Sequence, residues 1–433
     1  MVKTRKDLCA AALYATVKGC FIKKFSPIPS TSGKAKAKAP TGISIIDCLM
    51  SGIALFALKF PSLLQYDIKR RYPRIANNLK VLFGIQQTPC DTYMRERLDE
   101  IDPQSLRGAF KAIFSNAQRG KALEAYQYLN GKYLLSLDGT GHFCSGSIHC
   151  ENCCVKESRN GQTTYYHQML AAVIVHPDQR QVIPLAPEPI LKKHGATKND
   201  CERNAAKRLL EDVRREHPHL DLIVVEDSLA SNGPHIQELR KHQMNYILGV
   251  KPGDHAFLFD WARDSDKQTH EKIDEKGTSH KYSFVNGVPL NDAHFDLKVN
   301  FLEYWETDKK GNQQHFTWIT DIELKKSNVS AIMRGGRARW RIENNTFNTL
   351  KNQGYNFEHN FGHGYRNLCT VLGLLMMLAF LIDQVQELTC QVFKKARQLT
   401  GSYSSLWENI RSLFLSFSLY GILRIYVVPM TTH

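Results

Sequence analysis

The 433-residue chain, 42% hydrophobic and 23% charged, is long enough for two or three domains with a sizeable core. Its 57 Lys and Arg against 42 Asp and Glu leave a net charge of +15. That surplus points to a polyanionic partner, because Lys and Arg displace counterions condensed on phosphates. Eleven scattered cysteines, an odd number, fit a reducing compartment and exclude a disulfide-stapled secreted scaffold.

Residues 1–40 read as a basic arm in which nine Lys and Arg face one acid, Asp7. Met1–Lys24 has no long apolar run and no small-residue cleavage site, so no secretory signal is expected. The stretch Ser26–Pro40, SPIPSTSGKAKAKAP, cannot bury a core and reads as a flexible linker, either a DNA tether or a solvated tail.

Residues 41–130 read as a helical DNA-binding region, with apolar residues at three- and four-residue spacing from Ile43 to Ile53. One helix is expected to end at Gly84, with Thr88 and Pro89 as N-cap and first residue of the next. That next helix, Pro89–Ile101, carries Tyr93, Arg95 and Arg97 and has the place of a helix-turn-helix recognition helix, with Arg95 and Arg97 toward DNA. The nearby KRRYPR, Lys69–Arg74, adds positive charge.

From residue 131 the texture changes. KYLLSLDGT is expected to be a strand ending at Asp138, followed by strands over Tyr165–Pro177 and Gln181–Ile190. A helix over Cys201–Glu216, a strand ending at Asp227, a helix over Pro234–Gln243 and the strand NYILGVK come next. Three strands in succession and then alternating helix and strand is the order of an RNase H-like α/β fold. Residues 131–251 form its first part. Residues 252–325 read as a β-rich insertion, with a hairpin turn at Asn286–Gly287 and two alternating strands around the polar loop Thr307–Gln314. Residues 326–385 form the second part of the core, and 386–433 a helical C-terminal region. The longest apolar run, Leu368–Ile382, is interrupted by Thr370 and Gly373 and falls short of the roughly 20 residues of a membrane span, so a buried core helix is expected and no membrane.

Phosphoryl transfer on DNA needs an activated oxygen and stabilised charge on attacking and leaving oxygens, which a pair of hard divalent ions supplies through converging carboxylates. Asp138 and Asp227, each at the end of an apolar strand, emerge at one edge if those strands are parallel neighbours. RGGRARWRIENNTFNTLKNQG reads as a helix whose Arg339, Glu343 and Phe347 share a face; its spacing alone favours a surface helix with an i,i+4 Arg–Glu pair over an element that brings the third carboxylate. Glu226, Asp321, Glu188, Asp200 and Glu202 are the competing acids. A second cluster, HFCSGSIHCENCCVKES, has zinc-knuckle spacing at Cys150 and Cys153, with His142, Cys144, His149, Cys154 and later Cys201 as neighbours.

RWRIENNTFNTLKNQGYNFEHNFGHG, together with LLSLDGTG and LIVVEDSLASN, resembles the DDE transposases of bacterial insertion sequences, in the group with a β insertion between the second Asp and the Glu. The spacing agrees, with Asp227 89 residues after Asp138 and Glu343 116 after Asp227. The resemblance implies that Asp138, Asp227 and Glu343 are the catalytic and metal-binding triad, with Mg2+ or Mn2+ as cofactor. It implies cleavage of insertion-sequence ends and joining of the 3′-OH to target DNA, a homodimer on double-stranded DNA, and a cytoplasmic, nucleoid-associated location. A metal-dependent nuclease on the same fold and a non-catalytic DNA-binding relative are the rival readings. The family's Y-x2-R-x3-E-x6-K pattern places its Arg at Arg339, a phosphate contact, and its Tyr at Gly336; its Lys falls on Leu350. Lys351, one residue later, is the DNA-binding candidate, about 100° further round an α-helix. Similar transposases that make hairpin ends stack an insertion aromatic on a flipped base. Trp261 is the candidate for it here, with Trp305 and Trp318 read as core. The Cys cluster reads either as a structural Zn2+ site at Cys150 and Cys153 or as a loop of reduced thiols.

Overall fold

A computed structural model describes residues 8–26, 42–192 and 199–419. The N-terminal helices are α1 (Ala10–Phe25), α2 (Ile45–Ala57), α3 (Leu63–Arg70), α4 (Pro73–Phe83), α5 (Asp91–Asp99) and α6 (Arg107–Arg119). Gly84 ends α4 in the left-handed conformation, as its position in the sequence implied. The next helix starts later than expected. Its N-cap is Cys90 rather than Thr88, because the Thr88 carbonyl is taken by Arg70 and the amide of Asp91 by Asp67.

The basic arm is not an arm throughout. Leu13, Tyr14, Val17 and Phe21 of α1 are buried against the neighbouring helices, and Lys18 reaches the Gly84 carbonyl. Four apolar residues at helical spacing seat this helix despite the charge around them. The Lys–Ala stretch lies outside the described residues.

The strands are β1 (Gln127–Tyr128), β2 (Lys132–Ser145), β3 (Cys154–Glu157), β4 (Thr163–Val175), β5 (Ile183–Pro184), β6 (Glu188–Ile190), β7 (Leu222–Glu226), β8 (Asn245–Gly249), β9 (Gln268–Ile273), β10 (Ser279–Pro289), β11 (Lys298–Thr307) and β12 (Gln313–Thr320). They form one sheet in the order β3-β4-β2-β7-β8-β12-β11-β10-β9. Strand β2 is antiparallel to β4 and parallel to β7, and β7 is parallel to β8, which is the RNase H-like arrangement. Helices α7 (Glu202–Glu216), α8 (Gly233–Lys241) and α9 (Ala256–Arg263) lie between strands in sequence. The strand expected over Gln181–Ile190 is two short pieces. Pro184, Pro187 and Pro189 cannot donate to a ladder, so β5 and β6 sit at the outer edge of β4, end to end with β3.

The inserted strands β9–β12 extend the central sheet, with β12 pairing directly to β8. Asn286–Gly287 is not their hairpin turn. It is a bulge inside β10, where the pairing to β11 shifts between Val285 and Val288 and Gly287 has φ 75°. The Asn286 amide serves another purpose, bonding the Leu324 carbonyl and amide.

Beyond the sheet come α10 (Val329–Arg337), a π-helical turn (Ile342–Phe347), α11 (Asn348–Asn352), α12 (Leu368–Thr389), α13 (Gln391–Leu399) and α14 (Tyr403–Ser416). Helix α12 is long and apolar enough to cross a membrane, but it is buried along its most apolar stretch, the place of a core helix. Helices α1, α2, α5 and α6 and strand β5 pack around it. Asp99, at the end of α5, accepts the backbone N–H groups of Tyr365, Arg366, Asn367 and Leu368, amides at the start of α12 that would otherwise lack partners.

Buried Lys59 bonds Asp383 of α12 at 2.6 Å, and Tyr355 donates to the same carboxylate. The ammonium also lies 4.0 Å from the Tyr355 ring centroid and 4.1 Å from that of Trp407. Removing one member strands the other charge in the core. Asp383→Ala should therefore lose about 3–5 kcal/mol of unfolding free energy in urea titrations. Lys59→Met combined with Asp383→Leu should recover most of it. A double variant as unstable as the single one would refute this account of the pair.

Candidate active site

Strands β2 and β7 run side by side from Tyr133↔Leu222 to Ser136↔Val225. Their pairing stops there, so Asp138 and Asp227 leave the same end of the parallel pair. Strand β2 itself does not end at Asp138. It continues to Ser145 along β4, because glycines at 139 and 141 and the irregularity before Phe143 let the ladder carry on without β7. Alternation along β2 sorts its faces. Ser136 donates to the Arg339 carbonyl, so Asp138 shares the face toward the π-helical turn, while Leu137 and Gly139 face α7.

Glu343 projects from that turn. Arg339 Nη1 lies 2.7 Å from its carboxylate and 3.6 Å from Asp138 Oδ2, so one guanidinium stands between two acids. The Asp138 carboxyl is pushed up to about 7, chiefly by burial; Arg339 opposes the shift, and Glu343 and Asp227 add to it. Each of the three acids thus lies within the electrostatic reach of the site.

Glu202, one of the competing acids, belongs to the same cleft. A Cβ at Gly139 would collide with its carboxylate. Burial, then Asp227 and Glu226, raise its pKa. The glycine at 139 leaves the carboxylate this place, and the DGT of the strand is the one trace of it in the sequence. Glu226 is turned to α8, where it meets His235 at 2.6 Å.

The helix expected to carry Glu343 is not regular. A turn closed by i→i+5 bonds holds about one residue more than an α-turn, and Asn348 N–H reaches the Glu343 carbonyl in this way. That extra residue brings Lys351 back toward the face of Glu343, correcting the offset expected of a straight α-helix. Lys351 pairs with Glu358 at 2.7 Å. At Gly336, where the family pattern has Tyr, the Trp318 indole covers the backbone so closely that any Cβ would collide with it. A groove beside Asp227 is lined by Lys251, His315, Trp318, Arg337, Arg339 and Trp340. Trp340, half exposed, offers an aromatic face there. Trp261 of α9 packs against Phe257 of the same helix and against Phe295, and stays 42% exposed.

Several other sequence candidates have internal partners. Arg95 pairs with Asp91 at 2.5 Å and Arg97 with Glu100 at 2.7 Å, so acids on or next to α5 offset its positive charge. Asp321 accepts the Tyr246 amide and Asn245 side chain, bracing β8. Glu188 and Asp200 share Arg208. Of the Cys-rich stretch, Cys150 and Cys153 converge with His167 of β4 and His363. Cys154 bonds the Ile190 carbonyl and His149 stacks on Tyr165, while Cys144 and Cys201 are exposed. His167 and His363 went unnoticed in the sequence because they are 14 and 210 residues from Cys153.

No curated protein matches the sequence. A family model described as "Transposase DDE domain" matches residues 132–381, from the first residue of β2 into α12. That span is more than half of the chain and contains Asp138, Asp227 and Glu343. The chain belongs to the transposase DDE domain family.

Proposed function

We propose that the protein is a DNA transposase that cleaves the ends of an insertion sequence and joins the freed 3′-OH to target DNA, with Asp138, Asp227 and Glu343 as its catalytic triad. The observation that carries the reading is the placement of Asp138 and Glu343 on either side of Arg339, with Asp227 leaving the same end of the parallel strand pair as Asp138 and adding to its raised carboxyl. The donor set fits hard divalent cations such as Mg2+ or Mn2+, since all three residues offer oxygen and the site already draws a cationic group between two of them. Bound ions there supply an activated oxygen nucleophile and charge stabilisation for the phosphoryl oxygens.

The chain's own residues hold the DNA and set the geometry. Arg339 is placed to exchange its carboxylates for a phosphate oxygen when the acids are otherwise neutralised. Lys251, Arg337 and Trp340 extend the groove for the strand beside Asp227, and Lys351 lies along the same helical face as Glu343. Two copies acting on two ends, and a cytoplasmic site of action at the nucleoid, complete the proposal.

Asp138→Asn, Asp227→Asn and Glu343→Gln should each bind end DNA in gel-shift assays. Each should lose Mg2+-dependent cleavage and joining by more than about 100-fold, the scale reached when only a metal's outer-shell partners are removed. Asp321→Asn should stay active. Nicking without joining of a labelled 3′ end would select a nuclease, and binding without any nicking a non-catalytic relative.

The raised carboxyl of Asp138 also sets a stability trend. An ordinary Asp ionises near 3.8 and this one at about 7, so between those values the folded chain holds a proton that the unfolded chain has released. Stability contributed by this group therefore falls as pH rises through that window. In chelator, the melting temperature of Asp138→Asn minus that of the wild type should grow from pH 4 to pH 7. A difference that stays constant across the window would show that Asp138 titrates normally.

A further inference from the structure

Away from the carboxylates, four side chains from three distant stretches meet at one point. Cys150 and Cys153 sit in the turn between β2 and β3, His167 on β4, and His363 in the segment between α11 and α12. One ligand atom from each lies within 4.8 Å of the others. The sulfurs are 3.9 Å apart, His167 Nε2 is 3.3 Å from both, and His363 Nε2 is 3.4 Å from Cys153 Sγ.

A tetrahedral Zn2+ with bonds of about 2.3 Å to sulfur and about 2.0–2.1 Å to nitrogen requires S···S near ~3.8 Å and S···N near ~3.5 Å. The observed separations fall within a few tenths of an ångström of that. A disulfide needs sulfurs about 2.05 Å apart. Cys153, His167 and His363 are buried, and a buried imidazole nitrogen facing two thiols, which are weak donors, is poorly compensated without a metal.

We propose that Cys150, Cys153, His167 and His363 bind a structural Zn2+ that staples the segment before α12 to the β2–β4 hairpin. The surrounding contacts run along the same seam. Asn152 bonds the Arg366 carbonyl and the Asn367 side chain, Glu151 N–H reaches the Tyr365 carbonyl, and Phe143 of β2 packs 4.2 Å from His363. Asp99 of α5 grips the residues just beyond. The ion thus closes a 210-residue separation between Cys153 and His363, and its binding energy becomes folding energy.

The site is independent of the carboxylates, so Glu343→Gln should keep its zinc. Full-length, tag-free protein should carry roughly one zinc per chain by elemental analysis. Cys150→Ser and His363→Ala should lose it and melt at lower temperature. Wild-type protein stripped with chelator and titrated with Co2+ should develop the visible bands of a tetrahedral thiolate–imidazole site, a readout that needs no variant to fold. A second group, His142, His167 and Cys369, shares one histidine with this set. His142→Phe and Cys369→Ala should retain the zinc. Loss of metal in these two variants, no tetrahedral Co2+ spectrum in the wild type, or a Cys150–Cys153 disulfide in the purified chain would each overturn the assignment.

Discussion

A helix with the composition of Leu368–Thr389 has to be covered on every side, and much of the molecule is arranged to cover it. Helices α1, α2, α5 and α6 wrap it and β5 closes the side toward the sheet. Three of its buried polar side chains find partners inside. Asp383 takes Lys59 and Tyr355, Gln384 takes the Val182 amide, and Thr389 returns to the Val385 carbonyl. Each of these pairs crosses from one region to another or closes the helix on itself. The N-terminal helices are therefore part of the core of the transposase domain as well as an appendage to it.

The same helix fixes the site indirectly. Its first amides are held by Asp99, the segment before it runs back along the β2–β3 turn, and that segment continues into the helix bearing Glu343. The strand bearing Asp138 and the helix bearing Glu343 are thus tied together at some distance from the carboxylates. This matters because the carboxylates cannot do it themselves: burial and, after it, repulsion from Glu343 and Asp227 raise the Asp138 carboxyl. Arg339 offsets part of that repulsion from the turn just before the π-helical segment.

What was legible in the sequence was whatever depends on local periodicity. The strands leading to Asp138 and Asp227, the long apolar helix and the RNase H-like order all rest on runs of apolar residues bounded by turns. What was not legible depends on partners far away in the chain. Strand β2 outlasts Asp138 because β4 is there to pair with it. Asn286–Gly287 bulges rather than turns because Leu324 supplies bonds to Asn286. The π-helical turn changes the spacing that a straight helix would impose on Lys351, and no residue type in IENNTF announces it. Charge misled at the N-terminus, where the lysines of α1 drew attention from the apolar stripe that seats it.

The close approach of Trp318 to Gly336 ties two positions together across the sheet-to-helix boundary. A larger residue at 336 has no room while the indole is present, and a smaller residue at 318 leaves a void over a bare stretch of backbone. The two can drift only as a pair. A tyrosine at 336 therefore requires a residue smaller than tryptophan at 318.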